Sequence, residues 1–292
     1  MIFGETPYNS GTLRPEATDI DAMQFCWVPS GVFLMGSGDH DVLAYNDEKP
    51  QCETHIPHGY WLARFPVTVA QFSRFVFDVG FPAGFMHCLA GPPGHPVVRV
   101  SWFEAFAFCQ WLTLRWQALG LLADGMVVSL PNETEWEKAA RGGMNVPQTA
   151  VIMSPPFALV DLELKPNTHP DRVYPWGPEA NAWTGGFDEN GIAQTVAVGS
   201  FPEGASPYGV EDLCGNIWEW TRSILGDYPY PEDGTGCHQR EALEAEGFRV
   251  LRGGAFEGGP DSVRCGWRNS LAPGFRNQYV GFRVMVSSVW PA

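Results

Sequence analysis

From residue 144 onward the chain has little means of forming long regular elements, and this limits its fold more than any other feature. Residues 144–292 are rich in Gly, Pro, Asn and Asp, and their apolar runs, such as GFRVLRGG and VGFRVMVSS, suffice only for short strands. A segment of this kind keeps one structure only through tertiary contacts, side-chain hydrogen bonds or bound ions. The first half must supply the regular elements it leans on.

Residues 25–36 read FCWVPSGVFLMG, with apolar residues alternating around Pro29 and Gly31, which predicts two short strands joined by a turn. HGYWLARFPVT (58–68) is a further strand candidate. Val69, Phe72, Phe75 and Val76 then recur at helical spacing behind Thr68, a residue suited to an N-cap. In SWFEAFAFCQWLTLRWQALGL (101–121) Ser101 and Glu104 form a capping box, and Phe108, Trp111, Leu112 and Trp116 share one helical face. A second capping signature opens PNETEWEKAARGG (131–143), a short helix ended by Gly142 and Gly143. Its Glu133, Glu135 and Glu137 read as a solvated face with one buried anchor. His55 and His58, three apart, read as surface histidines of an extended segment.

Only 17% of residues are charged, while 33 Gly, 25 Pro and 12 Trp favour turns and aromatic anchors over long amphipathic helices. No repeat or linker divides the chain, so one domain over 1–292 is expected, with 1–22 as an N-terminal extension. The formal net charge of −15 opposes phosphate backbones and argues against nucleic-acid partners. No run approaches the roughly 18 apolar residues of a membrane span, so no membrane insertion is expected. The acidic N-terminus lacks a basic and apolar leader, which points to the cytoplasm or leaves the compartment unknown. Seven cysteines (26, 52, 88, 109, 214, 237 and 265) form no CxxC pair, so reduced thiols are expected. GxSxG, P-loop, Rossmann and HExxH motifs are all missing.

A series of motifs then falls in a fixed order: VPSGVFLMGS, NDEKP, FPVTVAQF, HPVVRVSWFEAFAFCQWL, LPNETEWEKAARGG, YPWG, NAWTGGF, VGSFPEGASPYGVEDLCGNIWEW, VLRGGAF and VGFRV. Together, over residues 27–284, they resemble the formylglycine-generating-enzyme-like, or sulfatase-modifying-factor, family. The resemblance implies an α+β, C-type-lectin-like fold of the formylglycine-generating-enzyme type, loop-rich with little regular secondary structure. In GNIWEW, alternation sends Trp218 and Trp220 to one side of an extended segment and Glu219 to the other.

Two structural Ca²⁺ sites follow from the resemblance, since Ca²⁺ takes hard oxygen ligands from carboxylates, amides and carbonyls. The first maps to the Asp212 side chain, the Gly215 and Ile217 carbonyls and the Glu219 carboxylate. The second maps to the Asn181 side chain, the Ala182 carbonyl, the Asn190 side chain and the Ile192 carbonyl. Asn190 stands where the generating enzyme has an Asp, which removes one formal charge from that site.

The founding activity of the family oxidises a substrate cysteine with O₂ and a copper ion held by two thiolates after RGG. Here Cys265 falls where the second thiolate belongs, and the first position, near Pro260, has no Cys; residues 253–292 hold no other cysteine. Copper is therefore not expected. A branch of the family uses non-haem iron held by three histidines beside a helical bundle, for which the chain offers no extra room. The alternative to a binding protein is a metal-dependent oxidoreductase of this family with a non-standard or degenerate active site.

Arg264, Arg268 and Arg276 match the family framework, in which arginines tie loops through forked hydrogen bonds. Between them, in the segment 252–283, lies an apolar and aromatic set expected at the surface: Val263, Cys265, Trp267, Leu271, Phe275, Gln278 and Tyr279. Such residues on a rigid scaffold make binding surfaces. The arrangement resembles the variable proteins of diversity-generating retroelements, whose lectin-fold C-terminus is mutated at adenines of an Asn-rich template. The leading expectation is a non-catalytic module that binds an unknown protein or other macromolecular ligand through this segment.

Overall fold

In the computed structural model, which describes residues 15–39, 41–80, 83–158, 160–179, 185–186, 194–231 and 234–288, the first apolar run turns back at Pro29 and Ser30. After a one-turn helix α1 (Pro15–Thr18) come β1 (Phe25–Val28), β2 (Gly31–Met35), β3 (Cys52–Ile56) and β4 (Tyr60–Ala63). Helix α2 (Val69–Val79) starts at Thr68, whose hydroxyl accepts from Gln71 N, and α3 (Trp102–Ala118) starts at the Ser101–Glu104 box. Next are β5 (Val127–Ser129) and α4 (Glu133–Arg141), which is capped by Asn132 and stopped by Gly142 at φ 88°. The remainder forms β6 (Asn145–Pro147), β7 (Ile152–Met153), β8 (Leu164–Pro166), β9 (Trp218–Ile224), α5 (Gly234–Glu241), β10 (Arg249–Arg252), β11 (Arg268–Leu271), β12 (Val280–Gly281) and β13 (Met285–Ser287).

The central sheet runs β5-β13-β4-β1-β7 and brings the last strand against the first ones. Alternation along β1 and β4 divides the core in two. Phe25, Trp61 and Ala63 face α2 and α3, where Phe72, Phe75, Phe108 and Phe282 pack ring on ring. Cys26, Val28, Tyr60 and Leu62 face α4, meeting Trp136, Ala139 and Ala140. A second sheet, β11-β10-β9-β12, carries the C-terminal half, and two-stranded sheets join β2 to β3 and β6 to β8.

Buried arginines hold the irregular half. Arg252 donates to the carbonyls of Cys265, Gly266 and Trp267, and Arg249 to those of Arg222, Ala242, Leu243 and Ala245. Arg283 reaches the carbonyls of Ala63, Arg64, Glu211 and Asp212. A fixed planar fork of donors suits this work, because each guanidinium satisfies several orphan carbonyls at once.

The expected solvated face of α4 is corrected: every residue of that helix is buried, including all three glutamates. Glu133 meets Arg268 and Arg240, Glu135 meets Arg222, and Glu137 meets Arg252 and Arg141. Charge spacing alone reads as solvation; here arginines from later strands take the place of water. His58 differs from its expected surface role as well. Its Nε2 lies 3.1 Å from Glu135 Oε1, whereas His55 is exposed on β3.

Candidate functional site: an aromatic face over a buried arginine

Arg264 builds the site from below. It donates to Asp41 Oδ2 at 2.8 Å, to the two Glu48 oxygens at 2.7 and 2.6 Å, and to the Leu43 carbonyl at 3.0 Å. These bonds fix the loop 41–48 against the segment after β10. Its guanidinium lies 5.7 Å from the centre of the Trp267 ring, within cation–π range. Burial opposes the Glu48 charge, yet the hydrogen bonds and charge of Arg264 hold its carboxyl below the ordinary value.

Above this pair lies a run of aromatic rings. Trp267 stands 4.8 Å from Tyr45, which is 51% exposed, and 6.3 Å from Trp218. The Trp218 amide donates to the Tyr279 carbonyl at 2.7 Å, and the Tyr279 ring packs 5.3 Å from Phe256. Gln278 Nε2 donates to the Tyr279 hydroxyl, and exposed Arg99, at φ 61°, points a guanidinium nitrogen at Gln278 Oε1. The result is two ring groups, half-buried Trp267 and Trp218 beside exposed Tyr45, and half-buried Tyr279 over buried Phe256, the second edged by amide and guanidinium groups. Such rings lose little rotamer freedom on contact, which suits them to recognition.

Of the segment residues expected at the surface, Trp267 packs between Tyr45 and Trp218, while Gln278 and Tyr279 bond each other beside Phe256. Val263 and Cys265 are corrected: they are 0% and 1% exposed and belong to the interior, Val263 against Tyr174 and Cys214, Cys265 against the α4 layer. Arg264 lies between them and is itself fully buried, so the chain at this point runs inside the protein rather than along it. Leu271 ends β11, half-buried, and Phe275 lies beyond it, 47% exposed. Sequence reasoning missed Tyr45 and Phe256. Neither carries a local signal: Tyr45 meets Trp267 only once Arg264 has docked the loop, and Phe256 meets Tyr279 from across the segment.

Around the first expected calcium site, Asp212 and Asn216 both take left-handed backbone at φ 55° and 63°. Asp212 Oδ2 accepts from Gly199 N at 2.8 Å, while buried Oδ1 has no hydrogen-bond partner among the described residues. Burial raises its carboxyl from 3.8 to about 7. Glu219 is differently employed: Arg283 donates to both its oxygens and Trp136 Nε1 to one of them. The Gly215 carbonyl accepts from Ile217 N at 2.8 Å. Asn181, Ala182, Asn190 and Ile192 lie outside the described residues. Among the described residues no three His, Cys, Asp or Glu side chains converge as a metal-binding group.

Burial pushes the Cys265 thiol up to about 11, against the pull of Arg141, Arg172 and Arg252, so at neutral pH it is a thiol and not a thiolate. A soft metal or an electrophile needs the thiolate. No described helix is long and apolar enough to cross a membrane.

A family model described as "Sulfatase-modifying factor enzyme 1-like domain" matches residues 10–288. Hercynine oxygenase of Mycolicibacterium thermoresistibile is 29% identical over 318 residues, covering 96% of the chain and 63% of the oxygenase. The chain thus spans under two-thirds of the length of that relative. Among solved structures, PvdO from Pseudomonas aeruginosa aligns with a TM-score of 0.65 and 24% identity over 89% of the chain and 92% of its own. Treponema denticola variable protein 1 aligns with a TM-score of 0.58 and 19% identity, over 89% and 94%. At these identities the two structures speak for the fold alone.

Proposed function

The chain belongs to the sulfatase-modifying factor enzyme 1-like family and has its C-type-lectin-like fold, and from that premise we propose that it is a non-catalytic binding module. One observation carries this: the rings of Tyr45, Trp267 and Trp218 lie together on segments locked by buried arginines, while Cys265 is a protonated thiol in the core. Its ligand is a protein or other macromolecule that offers a surface for flat rings. The diversified positions would be the outward ones, Trp267, Gln278 and Tyr279, together with Leu271 and Phe275. Val263 and Cys265 belong to the scaffold.

A structural calcium ion fits Asp212, whose buried Oδ1 lacks a hydrogen-bond partner among the described residues. The carbonyls of Gly215 and Ile217 would join it among the six to eight oxygens that Ca²⁺ takes, with Glu219 acting mainly as the counter-ion of Arg283. When bound, the ion would supply positive charge to a buried carboxylate and so tighten the loop that leads into β9.

The likeness to hercynine oxygenase favours a second reading, an oxidoreductase with a degenerate or non-standard site. Flanking DNA separates the two. An Asn-rich near-copy of the coding segment for 255–280, beside a reverse transcriptase gene, is expected for a diversified binding module. Its absence would remove the diversification. Turnover of a thiol substrate with copper or iron would overturn the non-catalytic assignment.

A further inference from the structure

We propose that the cavity between β2, α4 and β6 is a second site, one that takes a small uncharged aldehyde and holds it as an imine on the Lys138 amine. The cavity has a volume of about 400 Å³, and none of its lining residues belongs to the aromatic face. Exposed Ser30, Glu53, Met144, Asn145 and Leu164 rim it, whereas Lys138, 1% exposed, lies at its inner side. The other charges of α4 are all matched: Glu133, Glu135, Glu137 and Arg141 each meet an opposite charge. Lys138 meets none among the described residues, and its Nζ donates instead to the carbonyls of Pro29 and Gly31 at 2.7 and 2.9 Å.

Two acceptors suit the neutral amine better than the ammonium. A charged Lys138 would keep a third hydrogen and a full charge in the interior without a partner, which is costly. A neutral one gives both its hydrogens to the two carbonyls and keeps a free lone pair. Burial accordingly lowers the amine from 10.5 to about 7. A desolvated lysine of this kind is a nucleophile near neutral pH. Its lone pair adds to the aldehyde carbon, the nitrogen passes a proton to the oxygen, and the carbinolamine loses water. The sum is R–CHO + Lys–NH₂ → R–CH=N–Lys + H₂O, with no oxidant or reductant. Val32, Met144 and Leu164 offer apolar wall to the R group, and Glu53 at the rim disfavours an anionic one.

The test treats the full chain at pH 7 with butanal and cyanoborohydride, which reduces an imine to a stable amine, and maps the adducts by peptide mass spectrometry. The chain has three lysines, so half-buried Lys49 and exposed Lys165 serve as internal references. Lys138 should be labelled at least about tenfold faster than either, since each unit by which an amine's pKa falls gives tenfold more of the neutral form. Its rate should saturate with butanal concentration, and succinic semialdehyde, which adds a carboxylate, should label it more slowly. Lys138→Arg keeps donors for the two carbonyls and should lose the adduct; if that variant melts early, the comparison of three lysines in the parent still decides. Labelling of Lys49 and Lys165 without Lys138 overturns the proposal, as does a Lys138 adduct that forms only in denaturant. A rate linear in butanal overturns the binding site, and equal rates with the semialdehyde overturn the uncharged ligand.

Discussion

The Glu219 carboxylate and the Arg283 guanidinium meet through two hydrogen bonds, 2.6 Å from Nε and 2.7 Å from Nη2, fully shielded from solvent. They lock β9 to the segment that leads into the last strand. Replacing Glu219 by Gln leaves a buried guanidinium without its counter-charge, and such a break costs about 3–5 kcal/mol. Chemical denaturation should show this loss with or without calcium. A loss under about 1 kcal/mol would mean that water reaches Arg283.

Calcium dependence should follow Asp212 instead. Chelation is expected to lower the melting temperature of the parent, because an ion that binds only the folded state adds stability. Asp212→Asn should remove that response, since Asn tolerates the left-handed backbone but brings no charge. A variant that still responds fully would place the ion elsewhere.

The same carboxyl predicts a pH effect when chelator is present. Burial lifts Asp212 from 3.8 to about 7, so between these values the folded state holds a proton that the unfolded chain releases. Its contribution to stability therefore falls as pH rises from about 4 to 7 and is level above. The stability of Asp212→Asn relative to the parent should rise across that window. A difference that stays flat with pH would show that the group titrates normally.

Within the C-terminal segment, inner and outer positions should separate cleanly. Val263→Ala removes buried methyls and should cost roughly 2 kcal/mol, whereas Phe275→Ser and Gln278→Ala should stay within about 0.5 kcal/mol. Equilibrium unfolding in urea measures both. Equal effects at Val263 and Gln278 would contradict the path of the chain described above.

Incubation with copper and a CxPxR peptide should leave the peptide cysteine unchanged, because burial keeps Cys265 protonated. Appearance of an aldehyde would reverse this expectation.

Helices α2, α3 and α4 were legible because their signals are local: Thr68, Ser101 and Asn132 each cap a helix from within three residues, whereas α5, in the half expected to hold only short strands, was not. The strand-turn-strand at Pro29 and the opposed faces of Trp218 and Glu219 were legible for the same reason. The fold class came from the order of motifs, which no single motif carries. Burial of Val263, Cys265 and the α4 glutamates was not legible, because it depends on arginines remote in sequence. Tyr45 was invisible in the same way: its place beside Trp267 is set by Arg264, more than two hundred residues away from the loop it docks.

Helix α4 has a consequence for how the protein is made. Its three carboxylates wait for Arg222, Arg252 and Arg268, which follow Glu135, Glu137 and Glu133 by 87, 115 and 135 residues. While the ribosome is still adding those residues, the helix cannot leave water without stranding charge, since within the helix only Glu137 has a cation beside it, Arg141. The layer it shares with the central sheet must stay open until the chain has passed Arg268, so assembly is a late and concerted event in which distant loops close before any contact rewards them. A nascent chain stalled short of that point keeps α4 solvated and one face of its central sheet uncovered, the state in which chaperones find clients and proteases find substrates.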